Sequence, residues 1–149
     1  MALQPAGKGV RYTRYEGDFL STDQMLREGR VVERGTGPCI AIDTRPEADH
    51  FGYVFEALLE APAEGLYQFR VTSDDGTVLL LDGKRILELD GSHSPETAFC
   101  YAVLEKGFHR LELRYFEDCE GQVLDASLTG PDGKLLPLSQ WGLFLDECL

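Results

Sequence analysis

Two adjacent carboxylates, Asp74 and Asp75, are the residues of this sequence whose type and spacing best suit a chemical task. They stand in Ser73-Asp74-Asp75-Gly76 between two apolar stretches. A second acidic group, Glu117-Asp118-Cys119-Glu120, follows a strongly alternating stretch further on. Carboxylates crowded on rigid turns are hard oxygen donors, and calcium takes roughly six to eight such oxygens at about 2.3–2.6 Å. The spacing is not that of an EF-hand loop. A plainer reading stands beside the metal one: Ser73 to Gly76 is a turn whose Asp side chains bond the local backbone.

Other chemistries find less support. No G-x-S-x-G, H-E-x-x-H or P-loop pattern occurs. His50, His93 and His109 are scattered, and a lone His beside a strand is ordinarily a satisfied surface or core residue. A glycosidase needs two facing carboxylates, and no spacing here singles out such a pair. Gly35-x-Gly37 lacks the third glycine and following helix of a phosphate loop. Cys39, Cys100, Cys119 and Cys148 form no C-x-x-C, which leaves zinc unsupported. Two disulfides fit an oxidising compartment, and a buried Cys100 fits as well. The chain is expected to be non-catalytic.

Net charge is −12, and residues 51–149 hold eighteen of the acids against seven bases. Such a surface repels nucleic acid and anionic membranes and suits cations; solubility alone is an equally good reason for most of it. No stretch approaches the roughly 20 apolar residues of a membrane helix. Neither nucleic-acid binding nor membrane insertion is expected. Met1 is not followed by the charged-then-apolar lead of a signal peptide, so the chain reads as cytosolic or as a module of a longer secreted protein.

The elements that must position the acids follow from periodicity. With 149 residues, 43% hydrophobic and 27% charged, the chain is expected to form one domain over 1–149. Tyr67, Phe69 and Val71 alternate with Gln68, Arg70 and Thr72, and Thr77 to Leu81 is a short apolar run bounded by turns. These two strands are expected to pair as a hairpin with Asp74 and Asp75 at its tip, and Asp82-Gly83 to close another. Residues 1–8 read as an irregular lead-in. Val10–Tyr15, Phe51–Leu59, Arg85–Leu89, Phe99–Leu104 and Val123–Leu128 read as strands, and Ser21 or Thr22 as the cap of one short helical stretch through Met25. His109 to Phe116 alternates most cleanly, with Leu111, Leu113 and Tyr115 on one face. Trp141 and Phe144 are expected to anchor the tail. The expectation is an all-β antiparallel β-sandwich with at most one short helix, its two acidic loops converging at one end.

Gly65-x-Tyr67-x-Phe69, Ser73-Asp74-Asp75-Gly76 and Leu80-x-Asp82-Gly83, in that order, resemble the signature of the PA14 (protective-antigen) domain family. Tyr12-x-x-Tyr15-Glu16-Gly17-Asp18-Phe19, Asp90-Gly91-Ser92-His93, Glu105-Lys106-Gly107-Phe108-His109 and Tyr115-Phe116-Glu117 resemble it too, so the likeness runs along nearly the whole chain. The resemblance implies a lectin-like β-sandwich, an accessory module of glycoside hydrolases, toxins and adhesins. In its sugar-binding members two consecutive aspartates joined by a cis peptide hold a calcium ion, which coordinates vicinal sugar hydroxyls. Asp74 and Asp75 match those positions. The resemblance thus implies calcium on Asp74, Asp75 and Glu117, and carbohydrate on Asp74, Asp75, Asp118 and Phe116, with Phe116 or Tyr53 stacking on a sugar ring. Adhesin members add an asparagine from a second loop; this chain contains no asparagine, which leaves Glu117 or Asp118 as the replacement donor. Implied partners are a glycan or oligosaccharide and a neighbouring catalytic domain of a longer chain. The implied location is secreted, periplasmic or cell-surface. A structural module packed on a neighbouring domain, with the fold kept and the lectin lost, is the other function that fits.

Overall fold

Period-two alternation becomes strand almost everywhere it occurs. The computed structural model describes residues 3, 5–42, 49–118 and 123–146. In chain order it contains β1 (Pro5–Lys8), β2 (Val10–Glu16), α1 (Thr22–Glu28), β3 (Arg30–Gly37), β4 (Phe51–Ala61), β5 (Gly65–Asp74) and β6 (Thr77–Leu81). There follow β7 (Lys84–Leu89), β8 (Glu96–Leu104), β9 (Gly107–Glu117), β10 (Val123–Thr129), β11 (Leu135–Pro137) and β12 (Leu143–Asp146). The larger sheet runs β1-β12-β4-β9-β6-β7, with β2 also on β4 and β3 on β2; the smaller runs β11-β10-β5-β8. Every paired strand is antiparallel. This is the expected sandwich.

The inward rows of both sheets meet in one core, among them Phe55, Leu113 and Tyr115 from the larger and Phe69, Val71 and Leu128 from the smaller. Trp141 closes it, edge-on to Phe69 at 5.9 Å and donating from Nε1 to the Leu136 carbonyl. Burial of such rings at about 25 cal/mol per Å² is what holds the sheets together.

Two expectations fail. Residues 5–8 are not a loose lead-in: they pair with β12, a contact across almost the whole chain that local pattern does not signal. Nor do β5 and β6 form a hairpin. β5 pairs with β8 and β10 in the smaller sheet, whereas β6 pairs with β7 and β9 in the larger. Asp74 and Asp75 therefore mark the crossing from one sheet to the other.

A second, smaller core lies on the other face of the larger sheet, where Phe19 and Met25 cover Val54 and Phe116. Sequence chemistry places α1 there. Ser21 Oγ accepts from Gln24 N at 3.0 Å while Gln24 Oε1 accepts from Leu20 N at 2.8 Å, a reciprocal cap of the capping-box kind. Asp90 clamps the helix start, taking hydrogen bonds from both Thr22 N and Thr22 Oγ1.

Asp82 and Gly83 (φ 51° and 82°) make the positive-φ turn between β6 and β7. Asp82 Oδ1 accepts from Arg110 N at 2.9 Å, and Oδ2 lies 2.8 Å from His109 Nδ1, while His109 Nε2 lies 2.8 Å from the Glu105 carbonyl. Burial by itself depresses the His109 pKa, but two acceptors facing both ring nitrogens outweigh it, and the net value is raised. The imidazolium thus stabilises the fold fully below the unfolded value near 6.5, and that contribution is lost as pH rises through the higher folded value. As pH rises from below about 6.5 through the higher folded value, the protein is expected to lose stability that His109→Gln does not lose. Urea midpoints of the two proteins with parallel pH profiles would contradict this.

Candidate functional site

β5 enters the site along the smaller sheet and hands the chain over at Asp74, whose peptide bond to Asp75 is cis. The resemblance had implied that bond. The corner is fixed to the end of β9 by backbone pairing: Asp75 N donates to the Phe116 carbonyl at 3.1 Å, and Phe116 N donates to the Gly76 carbonyl at 3.0 Å. Tyr115 Oη donates to the Asp74 carbonyl at 2.5 Å, and Ser73 Oγ to the Asp75 carbonyl at 2.8 Å.

Asp75 is the hub. Its Oδ1 accepts from His93 N at 2.9 Å and from Ser92 Oγ at 3.3 Å; its Oδ2 accepts from Asp118 N at 2.7 Å. Ser92 Oγ also reaches Asp118 Oδ2 at 2.9 Å. One buried carboxylate therefore joins the sheet crossing, the segment before β8 and the segment after β9. The predicted convergence of the acidic loops holds for Asp118; Cys119 and Glu120 lie outside the described residues.

Charge is in excess here. Burial, then the Asp75 charge and a hydrogen bond between the two carboxyls, push the Asp74 pKa up. Glu117 is fully buried, and burial followed by contact with Asp49 raises its pKa to about 8. Its Oε2 accepts from His50 N at 3.2 Å, while Oε1 is buried without a partner among the described residues. Among the described residues the ion pairs of this cluster run to histidine: His50 Nδ1 lies 2.5 Å from Asp18 Oδ1 and 3.9 Å from Asp118 Oδ1. One donor atom each from Asp18, His50 and Asp118 falls within a 4.8 Å circle. Paired carboxyls, an orphaned buried oxygen and several further carboxylates fit a hard divalent cation, which takes oxygen ligands and removes the repulsion. Glu117, Asp74 and Asp75 are all buried, and Asp118 is partly exposed. A polar cleft of about 390 Å³ lined by Glu16, Gly17, Arg30, Asp49 and His50 opens alongside.

Phe116 and Tyr53 do not take the part expected of them. Phe116 is 0% exposed and packs edge-on against Phe19 at 6.4 Å; Tyr53 is 7% exposed and stacks on Phe55. Rings buried to this degree offer no open face to a sugar. Ser92 and His93 were missed as neighbours of the acid pair, and Asp18, Asp49 and His50 as members of the cluster around Glu117 and Asp118. The Asp90-Gly91-Ser92-His93 run was visible, but nothing local says that its backbone turns toward Asp75. Cys39 and Cys100 are free thiols.

In fold the chain is similar to several solved structures. One is a PA14 sugar-binding domain from an RTX adhesin, at 19% identity and TM-score 0.76, covering 93% of this chain and 99% of that one. Another is the PA14 domain of the MpAFP antifreeze protein, at 14% identity and TM-score 0.79, covering 100% and 97%. A third is a subtype-switched Epithelial Adhesin 9 to 1 A domain from Candida glabrata in complex with β-lactose, at 10% identity and TM-score 0.72, covering 98% and 96%. No curated protein matches the chain in sequence. The PA14 domain family model matches residues 8–137, most of the 149, and the chain belongs to that family.

Proposed function

We propose that this chain is a non-catalytic carbohydrate-binding module whose glycan is held through a calcium ion on Asp74, Asp75 and Asp118, with Glu117 behind them. The observation that supports this most is the Asp75 carboxylate at the sheet crossing, bonded to the Asp118 backbone, together with a Glu117 Oε1 that is buried without a partner among the described residues. When bound, calcium supplies open coordination positions for a pair of sugar hydroxyls. The chain's own residues do the rest. Asp75 holds the Ser92-His93 and Asp118 segments in register, so donors on three separate stretches stay preorganised. Relatives of the same fold include a domain described as sugar-binding and another solved with β-lactose, which makes lactose and other galactosides the first probes. Such a module suits an extracellular or cell-surface protein, attached to a glycoside hydrolase or to an adhesin-like chain.

The experiment is a glycan array read in calcium and in chelator, followed by titration of the best glycan. Retention that appears in calcium and vanishes in chelator is expected. Identical signals in the two conditions, together with coincident thermal scans, would remove calcium from the reading.

A further inference from the structure

Among the described residues, each sheet edge but one is blunted against pairing with another chain. β1 is four residues long, β11 is three residues ending in Pro137, β7 carries Lys84, Arg85 and Glu88, and β3 carries Arg30, Glu33 and Arg34. Short length, proline and charge are the usual protections of an edge. β8, the other edge of the smaller sheet, is long, lacks proline and is charged only at its first residue, Glu96. It is nine residues long, and from Thr97 to Leu104 it is uncharged in a chain of net charge −12. Its outward row, Phe99, Tyr101 and Val103, is 62%, 60% and 76% exposed. Leu66, the register partner of Val103 on β5, adds 53%. The inward row, Ala98, Cys100 and Ala102, packs on the core yet stays only half-buried. Both faces of this edge are left incompletely covered.

We infer that β8 pairs antiparallel with β8 of a second copy about a two-fold axis through Tyr101, joining the two smaller sheets into one of eight strands. The strand is complementary to itself in that register. Phe99 falls opposite the partner's Val103, Tyr101 opposite the partner's Tyr101, and Cys100 opposite the partner's Ala102, so large meets large outside and small meets small inside. The charged residues Glu96, Glu105 and Lys106 lie at the ends, outside the uncharged strip. Two copies with the same excess of negative charge repel least along an uncharged strip, and a two-fold contact needs only one patch that matches itself. The outward rows then form a continuous aromatic and β-branched ladder, the pairing that sheets favour.

The test is sedimentation velocity of the full chain from low to high micromolar concentration, with three variants at exposed positions. The native chain is expected to pass from monomer to dimer over that range, and Val103→Lys to stay monomeric with its thermal midpoint unchanged. Under mild oxidation Tyr101→Cys is expected to cross-link to a covalent dimer. Phe99→Cys is expected not to, because its own counterpart would lie about four residues along the strand, roughly 13 Å away at 3.3 Å per residue, beyond the roughly 4.4–6.8 Å that a disulfide spans. A monomer at every concentration overturns the inference, whatever other chain then covers β8. So does a dimer that survives Val103→Lys, or one that Phe99→Cys cross-links as well as Tyr101→Cys.

Discussion

Asp75→Asn is expected to abolish the calcium-dependent rise in melting temperature and to cost the chelated protein less than Asp75→Ala does. The side chain is 3% exposed and both of its oxygens accept hydrogen bonds. An amide of the same shape keeps one acceptor oxygen but gives up the negative charge that a cation needs. At calcium about a hundredfold above its dissociation constant, a single site stabilises by about 2.7 kcal/mol, which for a domain of this size is roughly 5–10 °C. The variant should show none of that rise. In chelator two effects oppose each other: the new amide nitrogen faces one of the N–H groups that the carboxylate satisfied, at about 1–3 kcal/mol, while the Asp74 carboxyl, raised by burial and then by the Asp75 charge, loses its like-charged neighbour. Asp75→Ala behaves differently: it also strands the His93 and Asp118 amides, at about 1–3 kcal/mol for each one left buried and unpaired. Differential scanning of native, Asn and Ala proteins in calcium and in chelator separates metal loss from loop loss. An Asn variant that keeps the full calcium rise would exclude Asp75 from the metal site.

The same residues explain why the acid pair was legible in the sequence and its setting was not. Ser73-Asp74-Asp75-Gly76 stands out as turn chemistry between two strands of good periodicity, and β9 alternates so regularly that Leu111, Leu113 and Tyr115 could be placed inside. What local pattern lacks is the identity of each strand's partner. Tyr67–Val71 and Thr77–Leu81 look alike to a hairpin and to a crossing between sheets; only their pairing with β10, β8, β9 and β7 decides, and those partners lie far along the chain. The alternation of β9 also sends Phe116 outward, toward the face that looked free for a ligand. That face is covered by Phe19 and Met25, and the covering depends on Asp90 gripping Thr22 across 68 positions. The available signal was small: an aromatic pair, Tyr115-Phe116, at the point where alternation ceases.

That burial gives Phe116 an expected phenotype opposite to that of a stacking residue. A ring lying on a sugar can be removed at little cost to the fold, with binding lost. Phe116→Ala is instead expected to destabilise the protein by about 3–5 kcal/mol even without calcium, the usual range for a large core aromatic. Gly76→Ala approaches the same contact from the other side. An added Cβ would lie 2.3 Å from Phe116 Cε1 and 2.8 Å from Asp90 Oδ1, and a ring already closed in by Phe19 has little room to retreat. Overpacking of this kind costs about 1–3 kcal/mol or more. It would act on the corner directly, because Phe116 and the Asp75-Gly76 backbone exchange two hydrogen bonds. Calcium affinity should therefore fall in both variants as a consequence of a displaced corner, and Phe116→Leu, which refills much of the space, should recover part of both stability and affinity. The decisive comparison sets urea midpoints beside calcium and glycan titrations. A Phe116→Ala protein whose midpoint is unchanged while its glycan binding disappears would return the ring to the binding surface.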